Sequence, residues 1–328
     1  MMTRFLLCCL SSFILTPLFS STQTKQYHSF ATTLHHTQGL NTNQTISTLQ
    51  NIQFLPKIIT IMDHPAESKP WNWYQQFFVT SSRINAGADY WGQHELALSQ
   101  AHQQYGVDPA VIVAIIGVET GYGKYKGNYR AIDTLGTLAF HYPKRARYFK
   151  QELGEYLLLT HEQHLDPLSQ HSSYAGALGI PQFMPSSYRR YAVHTHHEKN
   201  SDLFHRHTDA ILSIADFLQQ HGWRKGTPVA LPVNASANSL ASATNKTQDL
   251  AWFQQHQIIS TQSLHNHNLP GKVTFLDPQH QKHPWVTLPN FNAILSYNHS
   301  NNYAMAVWQL ALAIKKRHAY DQRQATTS

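Results

Sequence analysis

The sequence has two cysteines, Cys8 and Cys9, and both lie inside its first apolar segment. Beyond that segment there is no thiol, so disulfide scaffolds, thiolate nucleophiles and Cys-ligated zinc are excluded. Charge is scarce as well. Asp, Glu, Lys and Arg make up 13% of the 328 residues, where about a quarter is usual. With 18 Asp and Glu in all, acid–base chemistry has few candidates. Long apolar runs are also lacking. The stretch Phe5 to Phe19 is short and interrupted by Ser11, Ser12 and Thr16, too little for a spanning helix. Following Met1-Met2-Thr3-Arg4 it reads as a secretory signal over residues 1–22, with Ser20 to Thr22 as the cleavage zone. Cysteines so near its start disfavour a lipoprotein.

Hydrophobic residues amount to 41% and aromatics to 12%, enough for a sizeable core and too much for a disordered chain. The net charge of +7 and the 23 histidines leave a surface wetted by amides, hydroxyls and imidazoles. Residues 23–50, rich in Thr, Gln, Asn and His, read as a flexible leader. From roughly residue 68 to 222 the pattern is helical, within a core taken as residues 51–226. Gly92 to Tyr105 is amphipathic and stops at Gly106. Asp108-Pro109 is an N-cap followed by proline at the first helical position. The run from Ala110 to Val118 has no polar face, so its helix must be buried on all sides, and Gly121 is its stop. Further helices are expected over Lys144 to His161 and Asp209 to His221. Residues 227–292 read as a small mixed subdomain, with strands at Lys272 to Leu276 and Trp285 to Leu288 and a short helix at Leu250 to Gln257. Residues 293–317 return to helix, and 318–328 read as a tail.

Glu119 stands out among the carboxylates. At the end of a fully apolar helix, desolvation and the negative end of the helix dipole both favour its keeping a proton, as a general acid requires. A solvated last-turn residue is the other reading. In Ser172 to Tyr188, the small residues Ala175 to Gly179 allow close backbone approach, and Gln182 offers a neutral amide to a ligand. An ordinary buried turn is the alternative there. Tyr297-Asn298, just ahead of an apolar helix, reads by itself as a cap region.

Taken together, Gly117-Val-Glu119-Thr-Gly-Tyr-Gly123, the loop from Gly176 to Gln182, and Tyr297-Asn298 with Tyr303 to Gln309 resemble three signature blocks in matching order. They are those of the membrane-bound lytic murein transglycosylase B family, and the similarity runs over about residues 50–316. The resemblance implies an α+β, mostly α fold: a lysozyme-like helical core with a small inserted β-containing subdomain, its cleft completed by the segment from Tyr297. It implies cleavage of the β-1,4 bond between N-acetylmuramic acid and N-acetylglucosamine, with Glu119 as acid and then base. It further implies that Ser173 contacts the N-acetyl group or orients Glu119, and that Gln182, Met184, Tyr297, Asn298 and Tyr303 line the glycan groove. Tyr74 and Tyr148 match groove aromatics, Lys144-Arg145 a doubly basic site for murein carboxylates, and Phe217 a position usually held by tyrosine. No cofactor is implied.

Its partners would be peptidoglycan glycan strands and other cell-wall enzymes in the periplasm. Nucleic acid is not among them, nor a membrane beyond an uncleaved signal anchor. The rival readings are a hydrolytic muramidase and a non-catalytic peptidoglycan-binding protein. One departure stands out. Where the family carries a calcium loop, this chain reads His194-Thr-His-His-Glu-Lys-Asn-Ser-Asp-Leu-Phe204. Glu198, Asn200 and Asp202 are its remaining oxygen donors and it has no turn glycine, so calcium is expected to be absent. His194, His196, His197, His205 and His207 suit a transition metal, but they read rather as a solvated loop, and no metal site is assigned.

Overall fold

Residues 23–50 form helices, where low charge and polar composition suggested a flexible leader. In α1 (Ser21–Gln38) the buried residues Tyr27, Ala31 and Leu34 fall on one stripe of helical spacing. In α2 (Thr42–Leu49), Ile46 and Leu49 are buried, and Asn41 Oδ1 caps the start by accepting from the Gln44 amide at 3.0 Å. The two helices pack on each other. A few well-placed apolar residues thus hold a segment whose average composition argues for disorder. The computed structural model describes residues 21–64, 69–195, 200–233, 235, 240, 243–244, 246–259, 268–280 and 282–327. The expected signal therefore lies almost wholly outside the described residues. The chain divides into two compact units, Met1–Asn51 and Ile52–Ser328.

The larger unit opens with α3 (Pro56–Asp63), α4 (Trp71–Phe78), α5 (Ser81–Gln93) and α6 (Glu95–Tyr105). Gly106, in the left-handed region, stops α6. The start of α7 (Pro109–Thr120) is set by Asp108, whose side chain accepts from the Ala110 amide at 3.0 Å. Ala110 to Ile116 are all at most 2% exposed. α5, α6, α11 (His207–Gln220) and α14 (Asn301–Thr327) pack against α7. Gly121, at φ 55°, then turns the chain out of the helix. A two-stranded ribbon follows, in which β1 (Tyr129–Arg130) pairs antiparallel with β2 (His171–Ser172). Between these strands run α8 (Ala131–His141), a 3₁₀ turn at Pro143–Arg145 and α9 (Ala146–Glu162).

Glu152, on α9 with Lys150 and Glu155, is 2% exposed. Its carboxylate accepts from the Ser186 amide at 3.0 Å and the Ser186 hydroxyl at 2.7 Å, which ties α9 to the first turn of α10 (Pro185–Tyr191). Burial pushes the Glu152 carboxyl up, and the two Ser186 donors oppose that shift. On the same face Arg189 pairs with Glu155 and Glu162.

The inserted sheet is antiparallel, in the order β3 (Ala230–Pro232), β6 (Lys282–Thr287), β5 (Pro270–Asp277), β4 (Thr247–Asp249). One face carries Val273 and Val286 in register, and with α12 (Leu250–Gln255) it builds a core of its own around Phe253, Ile258 and Leu288. A pocket lined by Lys272, Thr274, Phe291 and Leu295 lies between β5 and α13 (Pro289–Tyr297). The final helix, α14, runs through the residues read as a tail. Its N-terminal half is apolar and buried, and Arg317 pairs with Asp321 one turn on.

Removing the Glu152 carboxylate by Glu152→Ala leaves the Ser186 amide and hydroxyl without their partner. The expected loss is about 2–3 kcal/mol of stability, read as a lower melting temperature in calorimetry. An unchanged melting temperature would show that water replaces the carboxylate without cost.

Candidate active site

α7 delivers Glu119 to the floor of a cleft of about 510 Å³. Three separated stretches line it with Glu119. They are the loop from Tyr125 to Tyr129 that follows α7, the loop from Ser173 to Met184, and Tyr297-Asn298 at the end of α13. Glu119 is the single carboxylate among these described lining residues. Tyr303, in the first turn of α14, donates its phenol to Glu119 Oε1 at 2.6 Å. Burial, and then the nearby negative charge of Glu119, hold the Tyr303 and Tyr297 phenols well above their usual value. Both phenols therefore stay protonated donors. The Tyr297 hydroxyl donates to the Pro181 carbonyl, which fixes the end of α13 to the cleft loop.

That loop is held by its own backbone. The Leu178 amide donates to the Phe183 carbonyl at 2.7 Å and the Phe183 amide to Leu178 at 3.1 Å, while Leu178, Ile180 and Phe183 are buried as anchors. Ser173 Oγ accepts from the Ala175 and Ala177 amides at 3.3 and 3.1 Å. Its lone pairs thus serve the loop, and its hydroxyl proton is the part it can offer a ligand. Gln182 sits at φ 52°, uncommon for a residue with a side chain and a conformation that costs energy. Its amide nitrogen donates to the Gly179 carbonyl at 2.9 Å and lies 3.4 Å from the Lys126 carbonyl. The amide oxygen is then the group left for a ligand.

The structure brings Glu119, Ser173, Gln182, Met184, Tyr297 and Asn298 together around the cleft and places Tyr303 directly beneath Glu119. The other expected residues stand elsewhere. Phe217 is buried behind the cleft, stacked on His221 at 4.0 Å and packed on Tyr297 and Phe183, so it supports the wall and lines no groove. Tyr74 is buried in α4 beside Trp73 and Phe78, close enough to Tyr303 for its phenol to act on it. Lys144 and Arg145 are exposed and lie outside the cleft lining. Lys144 pairs with Asp63 at 2.6 Å, and Arg145 lies over the Tyr148 ring at 4.5 Å. Burial, and then the Glu152 carboxylate, push the Tyr148 phenol up to about 12. Tyr125, Asn128, Tyr129 and Tyr174 also line the cleft and were not singled out. For Tyr125 and Tyr129 the signal is their place in the glycine-containing loop directly after the acid, while Tyr174 lies within the Ser172 to Tyr188 loop.

Of the histidine-rich loop, residues 196–199 lie outside the described residues, with His196, His197 and Glu198 among them. Asp202 is already engaged: Oδ1 accepts from the Phe204 and His205 amides, and Oδ2 faces the His205 ring at 3.1 Å. Asp209 is fully buried. Its Oδ2 accepts from the Asp202 amide and lies 3.7 Å from the Arg206 guanidinium, while Oδ1 has no hydrogen bond among the described residues. No three His, Cys, Asp or Glu side chains converge among the described residues.

The family described as "Transglycosylase SLT domain" matches residues 22–312. The chain is 38% identical over 286 residues to the membrane-bound lytic murein transglycosylase B of Escherichia coli K12, covering 84% of this chain and 79% of the relative. Among solved structures it is similar to the soluble lytic transglycosylase SltB1 from Pseudomonas aeruginosa. There the TM-score is 0.81 and the identity 37%, over 90% of this chain and 99% of the other. It is likewise similar to the Escherichia coli lytic transglycosylase Slt35 in complex with calcium, with a TM-score of 0.80 and 37% identity over 90% and 94%.

From the composition of the histidine-rich loop, dialysis against a chelator is expected to leave the melting temperature within about 2 °C of that of the untreated protein. A marked fall, reversed by added calcium, would place a structural ion in this loop.

Proposed function

Because the chain belongs to the transglycosylase SLT domain family and is a lytic transglycosylase acting on peptidoglycan, we propose that Glu119 serves as both acid and base in that reaction. The observation that carries this reading is the cleft with one carboxylate. Most glycosidases flank the scissile bond with two carboxyl groups, and enzymes assisted by their substrate are exceptions.

In the first step Glu119 gives its proton to the oxygen bridging N-acetylmuramic acid and N-acetylglucosamine. The bond from the muramoyl C1 to that oxygen breaks, its electron pair goes to the oxygen, and the N-acetylglucosamine end departs as an alcohol. Positive charge develops at C1, and the carbonyl of the neighbouring N-acetyl group supports it. In the second step the Glu119 carboxylate takes the proton from the muramoyl 6-hydroxyl, and O6 bonds to C1. A 1,6-anhydro ring forms, Glu119 is protonated again, and no water is consumed. Tyr303 donates to Oε1 and so helps fix the plane of the carboxyl group. Ser173 can donate to the N-acetyl carbonyl, and the Gln182 amide oxygen can accept from a sugar hydroxyl.

Export to the periplasm fits the apolar segment Phe5 to Phe19, and the net charge of +7 suits an anionic polymer. Among the described residues no helix is long and apolar enough to cross a membrane. Lys144 and Arg145 stand ready for the carboxylates of the peptide stems at a distance from the cleft. Other cell-wall enzymes are the protein partners this reading expects.

Digestion of purified sacculi tests the chemistry. Muropeptides released by the wild type are expected to carry 1,6-anhydro ends, one water lighter than hydrolysed ones by mass spectrometry. Hydrated reducing ends in their place would identify a muramidase. Glu119→Gln is expected to lose about 10²–10⁴-fold or more in turnover while keeping its fold, and near-normal turnover would refute the assignment. Tyr303→Phe removes one charge-directed hydrogen bond and is expected to lower kcat about tenfold to a hundredfold, with KM little changed.

A further inference from the structure

Tyr125 is 77% exposed, and it stands on the loop that leads away from Glu119. The loop beneath it is tied down at several points. The Tyr125 amide donates to the Thr120 carbonyl at 2.9 Å, and the Gly123 amide to Thr120 Oγ1 at 2.9 Å. Tyr122 donates to the Arg83 carbonyl at 2.6 Å, and Lys126 Nζ to the Phe204 carbonyl at 2.7 Å. Gly127, at φ 102°, passes so close to β2 that a Cβ there would stand 2.1 Å from the Ser172 carbonyl. The Tyr125 ring rests on Gly121, where a Cβ would lie 3.2 Å from the ring. Its side chain makes no hydrogen bond or ring contact among the described residues. A large aromatic held by a rigid backbone, open to water and lining a cleft, is a preformed contact surface, because little freedom is left to lose on binding.

We propose that Tyr125 is a stacking platform for the glycan strand, its ring lying against the apolar C–H face of an N-acetylhexosamine next to the scissile bond. The proposal rests on the transglycosylase reading and adds a binding residue to it. A flat ring and a pyranose face match in size and in polarity. Asn128, exposed on the same loop and lining the same cleft, supplies an amide for the hydroxyl groups at the sugar's edge. Tyr129, Tyr174 and Tyr297 belong to the cleft walls and are partly buried, so Tyr125 is the aromatic in the lining with most of its surface to give. Binding through this ring selects for saccharide and is indifferent to the peptide stem.

The test uses the full chain carrying Glu119→Gln, which holds substrate without turning it over, and a peptide-free tetrasaccharide of alternating N-acetylglucosamine and N-acetylmuramic acid. Adding Tyr125→Ala is expected to raise the Kd about tenfold, while Tyr125→Trp keeps it within about twofold. In the active enzyme the same Ala substitution raises KM and leaves kcat and the melting temperature nearly unchanged, as a mere support of the fold would not. Unchanged affinity in Tyr125→Ala overturns the proposal, as does a loss seen only with peptide-bearing glycan. Failure of Glu119→Gln itself to bind the tetrasaccharide would overturn the parent reading and this one with it. A wild type that still forms anhydro ends beside an unaffected Tyr125→Ala refutes the platform alone.

Discussion

Ala110 to Ile116 can be kept from water only by neighbours on every side, and that requirement organises the larger unit of the chain. α5 and α6 come just before α7, α11 and α14 from far along the chain, and the four meet because each covers one side of α7. A helix so enclosed cannot rotate or slide, since any movement would expose apolar surface at about 25 cal/mol per Å². The position of its last turn is therefore among the best-defined points of the structure. Glu119 inherits that precision, and Tyr303, carried in on α14, adds an angular constraint to the positional one.

The parts of the fold that were legible in the residues are those where local chemistry and burial agree. Asp108-Pro109 starts α7, Gly106 and Gly121 sit at left-handed stops, and the apolar run between them is buried. The reading failed where a few contacts outweigh composition. α1 is polar on average, yet Tyr27, Ala31 and Leu34 share one stripe. Glu152 has the spacing of a surface residue, and its burial depends on Ser186, which lies 34 residues away. Residues 318–327 extend α14 because a helix already nucleated propagates through Arg, Gln and Ala at little cost.

The site divides along similar lines. Glu119, Ser173, Gln182, Tyr297 and Asn298 were found in short blocks, and the fold gathers them into one cleft. Tyr74 and Phe217 match positions of the resembled family, yet both are buried; Phe217 packs on Tyr297, and the Tyr74 phenol acts on Tyr303 through its charge. Sequence position reports which residues are near a site without telling which side of the wall they occupy. Conversely, Tyr125 escaped notice because an aromatic in a loop is ordinarily expected to pack. Its exposure becomes visible only when the anchoring of the surrounding backbone is known.

Glu119 and its hydrogen-bond donor are separated by 184 residues. A chain still being synthesised carries its acid long before it carries Tyr303, and α7 stays without part of its cover until α14 has been made. Fragments ending before residue 303 lack both that packing and the donor, so the surroundings of Glu119 are complete only when the last helix is in place.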